Sequence, residues 1–269
     1  MKIAVTGAAG RMGQRIIACI SDTEGVQLAG AIERPGSPAL GKDAGEVAGI
    51  GRNGVVIVDS LEKALAAADV LIDFTSAEAS LVHLKTVASL GKAIVIGSTG
   101  FSAAQMEEVK GLTKNTSCVL APNMSVGVNV LLKALDLVAR TLGDDYDVEI
   151  VEAHHRLKKD APSGTAMKIA QVLASSLDRN LDEVAVYERK GLIGERTQKE
   201  IGIQTIRGGD IVGDHTVYFA TMGERLEFTH RASSRDTFAR GSIRAAQWLA
   251  GRGFGLFDMQ DVLGLKGNQ

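Results

Sequence analysis

The feature that most constrains this chain is an alternation that runs through its first half. Short β-branched apolar runs, without interleaved polar residues, are separated by longer amphipathic stretches. Residues 2–6, 26–32, 55–58, 70–74, 93–96 and 118–120 read as strands, and residues 10–21, 60–68, 77–90 and 102–112 as helices. In the 77–90 segment Leu81, Leu84 and Ala88 share one face, and Gly91 supplies a C-terminal stop. Strands that lack polar alternation are buried on both faces, as in a parallel sheet covered by helices. The rhythm therefore predicts an α/β domain built on a doubly wound parallel sheet.

The first strand turns into the first helix through Gly7, Ala8, Ala9, Gly10, Arg11, Met12 and Gly13, a GxxGxxG pattern. Small residues here let the backbone turn sharply, let a pyrophosphate approach main-chain N–H groups, and let the helix pack close to the sheet. Glu33 ends the second strand about twenty residues beyond Gly13, where a carboxylate accepts hydrogen bonds from an adenosine ribose. The expectation is a Rossmann-type domain carrying NADH or NADPH. Glu33 opposes a 2′-phosphate and Arg34 favours one, so the pair leaves the choice open and both cofactors are expected to be used. Two further loops, Gly97-Ser98-Thr99-Gly100 and Ala121-Pro122-Asn123-Met124, follow strands ending at the same sheet edge. They are expected to face the nicotinamide half of the cofactor.

Beyond a helix at 128–142 the character changes. Residues 147–153 read as a strand and 165–177 as a helix, followed by a charged, glycine-punctuated stretch over 178–200. Strand propensity then recurs at 201–206, 215–221 and 226–230 with no helices between, which predicts an α+β domain with an antiparallel or mixed sheet. A final helix over 237–249 is expected to pack back onto the first domain.

The densest chemistry lies in Glu152-Ala153-His154-His155-Arg156-Leu157-Lys158-Lys159-Asp160-Ala161-Pro162-Ser163-Gly164-Thr165. His154 and Lys158, four residues apart, can share one side of the chain and handle protons near neutrality. Pro162, Ser163, Gly164 and Thr165 read as a helix N-terminus whose N–H groups and Thr165 hydroxyl suit a carboxylate or phosphate. Adjacent strand residues point to opposite faces, and no HxxxH spacing or cysteine cluster is present, so no metal is expected. His83, His215 and His230 read as structural, and Arg235 as either an exposed arginine or a carboxylate partner.

Composition narrows the class further. With 269 residues, the chain is long enough for about two domains at roughly 150 residues each. Its 30 Lys+Arg against 32 Asp+Glu give no basic field for nucleic acid. No apolar run approaches the roughly 18 residues of a membrane span, and glycines interrupt the first apolar stretch where a signal peptide needs continuity. Cys19 and Cys118 sit in apolar surroundings without CxxC spacing and read as reduced core residues of a cytoplasmic protein.

Taken in order, GAAGRMG, IDFT, IGSTGF, APNMSVGVN, EAHHRLKKDAPSGTA, IRGGDIVGDHTV, HRASSRDTFARG and DMQDVLGL resemble the dihydrodipicolinate reductase family across almost the whole chain. The resemblance implies a dinucleotide domain over 1–125 and 236–269, and a substrate-binding and tetramerisation domain over 126–235. It implies cofactor contacts at Gly7, Ala8, Ala9, Gly10, Arg11, Met12, Glu33, Arg34, Gly97, Ser98, Thr99, Ala121, Pro122, Asn123 and Met124. His154 resembles the catalytic acid/base and Lys158 the proton donor, and His155, Gly164 and Thr165 resemble substrate contacts. Ser163, at the same helix start, and Arg235 are also expected toward the substrate. Met124 stands where an aromatic is frequent, and Leu157 replaces a histidine found in some members. The implied reaction is loss of water from a cyclic hydroxy-imine diacid with hydride addition, in lysine and diaminopimelate biosynthesis, by a homotetramer. Two rivals are another two-domain amino-acid-pathway dehydrogenase, such as an aspartate or homoserine dehydrogenase, and a dinucleotide-sensing regulator. The lack of a cysteine nucleophile in the second domain opposes semialdehyde dehydrogenase chemistry, and the His154–Lys158 segment opposes the regulator.

Overall fold

Strand residues that alternate between two hydrophobic layers build the first half of the molecule. In the computed structural model, which describes residues 1–266, the elements in chain order are β1 (Lys2–Thr6), α1 (Arg11–Ser21), β2 (Gln27–Ile32), α2 (Ala44–Ala48), β3 (Ile57–Val58), α3 (Leu61–Leu65) and β4 (Val70–Asp73). Next come α4 (Ala77–Ser89), β5 (Ala93–Ile96), α5 (Ala103–Leu112), β6 (Ser117–Leu120), α6 (Val126–Leu142), β7 (Asp147–His154), α7 (Gly164–Ser176) and α8 (Leu181–Val184). The chain continues through β8 (Ala185–Val186), β9 (Ile201–Arg207), β10 (Gly213–Thr221), β11 (Glu224–Ala232), α9 (Asp236–Leu249), β12 (Gly255–Phe257) and α10 (Met259–Val262). The chain divides into two units, Met1–Val126 with the chain from Arg235 onward, and Gly127–Ser234.

The first unit holds a seven-stranded parallel sheet in the order β3-β2-β1-β4-β5-β6-β12. Ile3, Val5, Ile72, Val95 and Val119 face one core, against Ile16, Ile17 and Ile20 of α1 and Ile243, Ala246 and Leu249 of α9. Ala4, Leu71, Ile94, Ile96 and Cys118 face the other, against Leu65 of α3, Leu84 and Val87 of α4 and Val109 of α5. That division is why the strand sequences carry no polar alternation. The helix over 237–249 lies in this unit beside α1, with the Arg15 guanidinium forked onto Asp236 at 2.6 and 2.8 Å.

Side chains begin the helices where the sequence offers caps. Ser60, Ser76 and Ser102 accept amides at the starts of α3, α4 and α5, and Gln105 closes a capping box with Ser102. Five elements lie outside the sequence expectation: α2, α8, β8, β12 and α10. Each is five residues or fewer, too short for a period to show. Asp43 secures α2 by accepting the amides of Gly45 and Glu46, and it also holds Asn53 and Gly54.

The second unit is a mixed five-stranded sheet in the order β11-β10-β7-β9-β8. β10 runs antiparallel to both β11 and β7, whereas β7, β9 and β8 are parallel. Val148, Ile150, Ile201, Ile203, Val217 and Phe219 pack against Leu131 and Leu135 of α6 and Ile169 and Leu173 of α7. The charged stretch after α7 forms α8 and β8, and two arginines beyond them tie to outward residues of β7. Arg189 forks onto Glu149 at 2.9 and 2.7 Å and reaches Glu200 at 2.6 Å, and Arg196 bonds Asp147 at 2.7 Å.

Phe219 is among the largest side chains removed from water, at 1% exposure. Phe219→Ala is expected to cost about 3–5 kcal/mol, by lost transfer energy plus a cavity, measured as a lowered midpoint in urea unfolding.

Candidate active site

In the parallel-sheet unit the loops after β1, β2, β4, β5 and β6 all leave the carboxyl edge, and the order of connection reverses between β1 and β4. Gly7 has φ +62°, a conformation that L side chains rarely adopt, and a Cβ on Gly13 would stand 2.1 Å from the Gly7 carbonyl oxygen. The turn thus requires glycine at both positions. Gly10 precedes α1 at the cap position and brings no side-chain cap, unlike the serines before α3, α4 and α5. The first amides of α1 therefore meet no capping side chain at the spot where an open α/β sheet binds phosphate. Glu33 accepts the Ala9 amide at 3.0 Å and the Arg34 amide at 3.2 Å, so its carboxylate stands against the turn. These residues fit a dinucleotide.

The neighbouring loops are held from inside. Asp73, buried at the end of β4, accepts the Thr75 amide at 2.9 Å and hydroxyl at 2.6 Å, and meets His83 Nδ1 at 2.7 Å. Burial would raise its carboxyl, but the His83 and Thr75 bonds outweigh that and hold it low. His83, expected to be structural, has this pairing. The Ser98 hydroxyl is buried against Ser80 at 2.8 Å, and Met124 is 1% exposed within the core. Ser98 therefore turns its hydroxyl inward, as Met124 does its thioether, whereas Gly10, Arg11, Arg34, Thr99 and Pro122 are exposed.

In the mixed-sheet unit, strand register assembles a polar cluster that chain order conceals. Every second residue of β7 is buried, so Glu152 and His154 continue the face begun by Val148 and Ile150. Glu152 stands opposite Thr205 on β9 and His215 on β10, and His215 opposite His230 on β11. One row on, His154 stands beside Arg207. Glu152 is fully buried and meets His154 Nδ1 at 2.6 Å. It also receives Arg207 Nη1 and Nη2 at 2.8 and 2.9 Å, the Ser163 amide at 3.0 Å and the Thr205 hydroxyl at 3.2 Å. Burial pushes its carboxyl up, but the bonds from His154, Arg207 and Ser163 prevail and hold it at about 2.

His215 sits edge-on to His154, ring centroids 5.2 Å apart, and its Nε2 meets the Ser163 hydroxyl at 3.0 Å. Burial, with the adjacent His154 next in weight, pushes its ring down to about 4. Ser163 caps α7 by accepting the Ala166 amide at 3.1 Å. Its amide and hydroxyl are committed inside the fold, and it is 2% exposed. Gly164 opens the helix with nothing within 4 Å of where a Cβ would be, and Thr165 follows it. The Lys158 ammonium rests on Asp160 at 2.9 Å, and His155 keeps a buried Nδ1 without a partner. Leu157 is 79% exposed. Arg235 belongs to the parallel-sheet unit, where it precedes α9, one residue outside the boundary expected from the sequence. No group of three metal-ligating side chains occurs among the described residues, and none of their helices is long and apolar enough to cross a membrane.

Sequence reasoning missed Arg207, Thr205 and His215. Each lies more than 40 residues from Glu152 in the chain, and only the pairing of β7 with β9 and β10 joins them.

A parallel sheet in this strand order, with its glycine turn and paired carboxylate, defines a Rossmann-type dinucleotide-binding protein. Similarity to known proteins narrows the class. Family models described as the N-terminus and C-terminus of dihydrodipicolinate reductase match residues 1–124 and 127–263. The 4-hydroxy-tetrahydrodipicolinate reductase of Syntrophus aciditrophicus is 60% identical over 99% of both chains. That of Pelobacter propionicus is 59% identical over 99% of this chain and all of its own. The dipicolinate-bound dihydrodipicolinate reductase from Paenisporosarcina sp. TG-14 shares the fold, with a TM-score of 0.76 at 23% identity over 97% of this chain and 98% of that one. The chain belongs to the dihydrodipicolinate reductase family.

The buried pair sets a pH dependence. His215, 4% exposed and faced by His154, Glu152, His230 and Lys158, titrates near 4 when folded against 6.5 when unfolded. The unfolded chain therefore takes up a proton that the fold refuses, and stability falls as pH drops from 6.5 to 4, at up to about 1.4 kcal/mol per pH unit. Glu152 behaves separately: its stabilisation is complete above 4.5 and is lost as pH falls toward 2. Urea unfolding across this range is expected to show both slopes, and His215→Gln is expected to shrink the first to the part left by His230, whose ring is also held down by burial, while leaving the second.

Proposed function

We propose that the protein catalyses the NAD(P)H-dependent reduction of 4-hydroxy-tetrahydrodipicolinate to tetrahydrodipicolinate with loss of water, a step of lysine and diaminopimelate biosynthesis. The observation that carries this is the agreement of near-full-length 60% identity with a buried Glu152–His154 pair beside the head of α7.

The substrate is a small cyclic dicarboxylate, and the mixed-sheet unit supplies what such an ion needs. The start of α7 at Gly164 and Thr165 offers backbone N–H groups and a hydroxyl to one carboxylate, with the helix dipole behind them. His155 and Lys158 supply donors for the rest of the charge. His154 serves as acid/base and Lys158 as proton donor, so that the carbon next to the one receiving hydride is protonated in step. The reduced nicotinamide supplies the hydride.

On the parallel-sheet unit, Gly7, Ala8, Ala9, Gly10, Arg11 and Met12 hold the pyrophosphate. Glu33 and Arg34 meet the adenosine ribose, where one suits a free 2′-hydroxyl and the other a 2′-phosphate, so NADH and NADPH both serve. Gly97, Ser98, Thr99, Ala121, Pro122, Asn123 and Met124 line the nicotinamide side, with Ser98 and Met124 contributing backbone. Buried, unpaired Cys19 and Cys118 suit a reducing compartment, and we place the protein in the cytoplasm. The face of the mixed sheet away from α6 and α7 presents Val151, Thr216 and Tyr218 in part to solvent, a surface suited to association into a homotetramer.

His154→Gln and Lys158→Ala are each expected to lower turnover on the order of 100-fold while NADH affinity changes less than about 3-fold. Cofactor oxidation with freshly generated substrate and fluorescence titration of NADH measure the two. Near-normal turnover in either variant overturns that residue's role. Light scattering is expected to give four chain masses.

A further inference from the structure

Of the side chains bonded to Glu152, His154 is the one ring with a choice of proton position, and its neighbours remove that choice. We propose that Glu152 is the positioning residue that keeps a proton on Nδ1 of His154, leaving Nε2 as the nitrogen that exchanges a proton with the substrate. The proposal rests on His154 being the acid/base group.

The argument is an inventory of donors. The Glu152 oxygen Oε1 receives the Ser163 amide, the Thr205 hydroxyl and Arg207 Nη2, at 3.0, 3.2 and 2.9 Å. The other oxygen receives Arg207 Nη1 at 2.8 Å and faces His154 Nδ1 at 2.6 Å. A backbone amide and a guanidinium only donate, and an ionised carboxylate only accepts. His154 is thus the one ring in the arrangement with a choice, and facing a carboxylate it must place N–H at Nδ1. Glycine at 213 keeps the opposite nitrogen from being crowded, because a Cβ there would stand 3.0 Å from Nε2. Proton transfer then breaks or forms only the Nε2–H bond. The ring passes between its doubly protonated form and the neutral Nδ1–H form, and Glu152 keeps its charge throughout.

Glu152→Gln tests this in the full-length protein. Three donors surround Oε1, so the amide oxygen takes that place and the NH2 group falls opposite Nδ1. That nitrogen must then accept, and the proton moves to Nε2. Long-range proton–nitrogen NMR on histidine-labelled protein, with His154 assigned by comparison with His154→Gln, reads the tautomer directly. The wild-type neutral ring is expected as the Nδ1–H form and Glu152→Gln as the Nε2–H form. The turnover of Glu152→Gln is expected to fall on the order of 100-fold or more, with KM and NADH affinity within about 3-fold. Glu152→Asp keeps a group that only accepts, and is expected to retain the Nδ1–H form and turn over faster than Glu152→Gln.

An Nε2–H ring in the wild type overturns the proposal with no variant needed. So does an unchanged tautomer in Glu152→Gln, or a loss in Glu152→Asp as deep as in Glu152→Gln, which marks a role in folding alone. Near-normal turnover in His154→Gln overturns the acid/base assignment instead, and the tautomer measurement separates the two failures.

Discussion

A single buried carboxylate governs the mixed-sheet unit. Glu152 has no exposure to solvent, and an isolated charge at such depth would cost several kcal/mol. The Arg207 fork, the Ser163 amide, the Thr205 hydroxyl and His154 Nδ1 together replace the lost water. The consequences reach outward from there. Ser163 is drawn in by its amide, and that fixes the point at which α7 begins. Ser163 in turn meets His215 through its hydroxyl, and His215 stays uncharged beside His154. One ion, satisfied by partners from three segments of chain, thereby sets a helix start and two imidazole orientations.

The parallel-sheet unit solves a different problem. Its strands have both faces in contact with apolar side chains, so the polar work is confined to the carboxyl edge, where the strands end. Glycine at positions 7 and 13 is a steric necessity there, because the first helix approaches its own preceding turn to within a fraction of a side chain. Asp73 performs for the loop after β4 what Glu152 performs for α7: a buried carboxylate, paired with an imidazole, fixes a turn.

Legibility from sequence followed the range of the interactions. The alternation of apolar runs and amphipathic helices is local, and it revealed the parallel sheet and the change to a mixed sheet after α6. Glu33 stands out because its distance from Gly13 along the chain is set by one strand–helix–strand unit. The segment from Glu152 to Thr165 stands out because its titratable and hydroxyl residues are neighbours in the chain. His215, Arg207 and Thr205 were invisible as partners, since their relation to Glu152 is a matter of strand register. His215 in particular looked like an ordinary strand-end histidine. Ser163 shows the converse: the cap at the head of α7 was correctly located, but its side chain turned into the protein. β12 and α10 escaped because elements of three or four residues leave no periodic trace.

The chain leaves the parallel-sheet unit after Val126 and returns to it at Arg235. One core of that sheet is completed only by Ile243, Ala246 and Leu249, with Met259 and Val262 beyond them. During synthesis, therefore, the segment that emerges first is the last to be finished. The inserted mixed-sheet unit has all of its strands available while the nucleotide-binding sheet still exposes an apolar face on the ribosome. The order of completion is the reverse of the order of translation, and a chain cut short at its C-terminus loses its N-terminal domain.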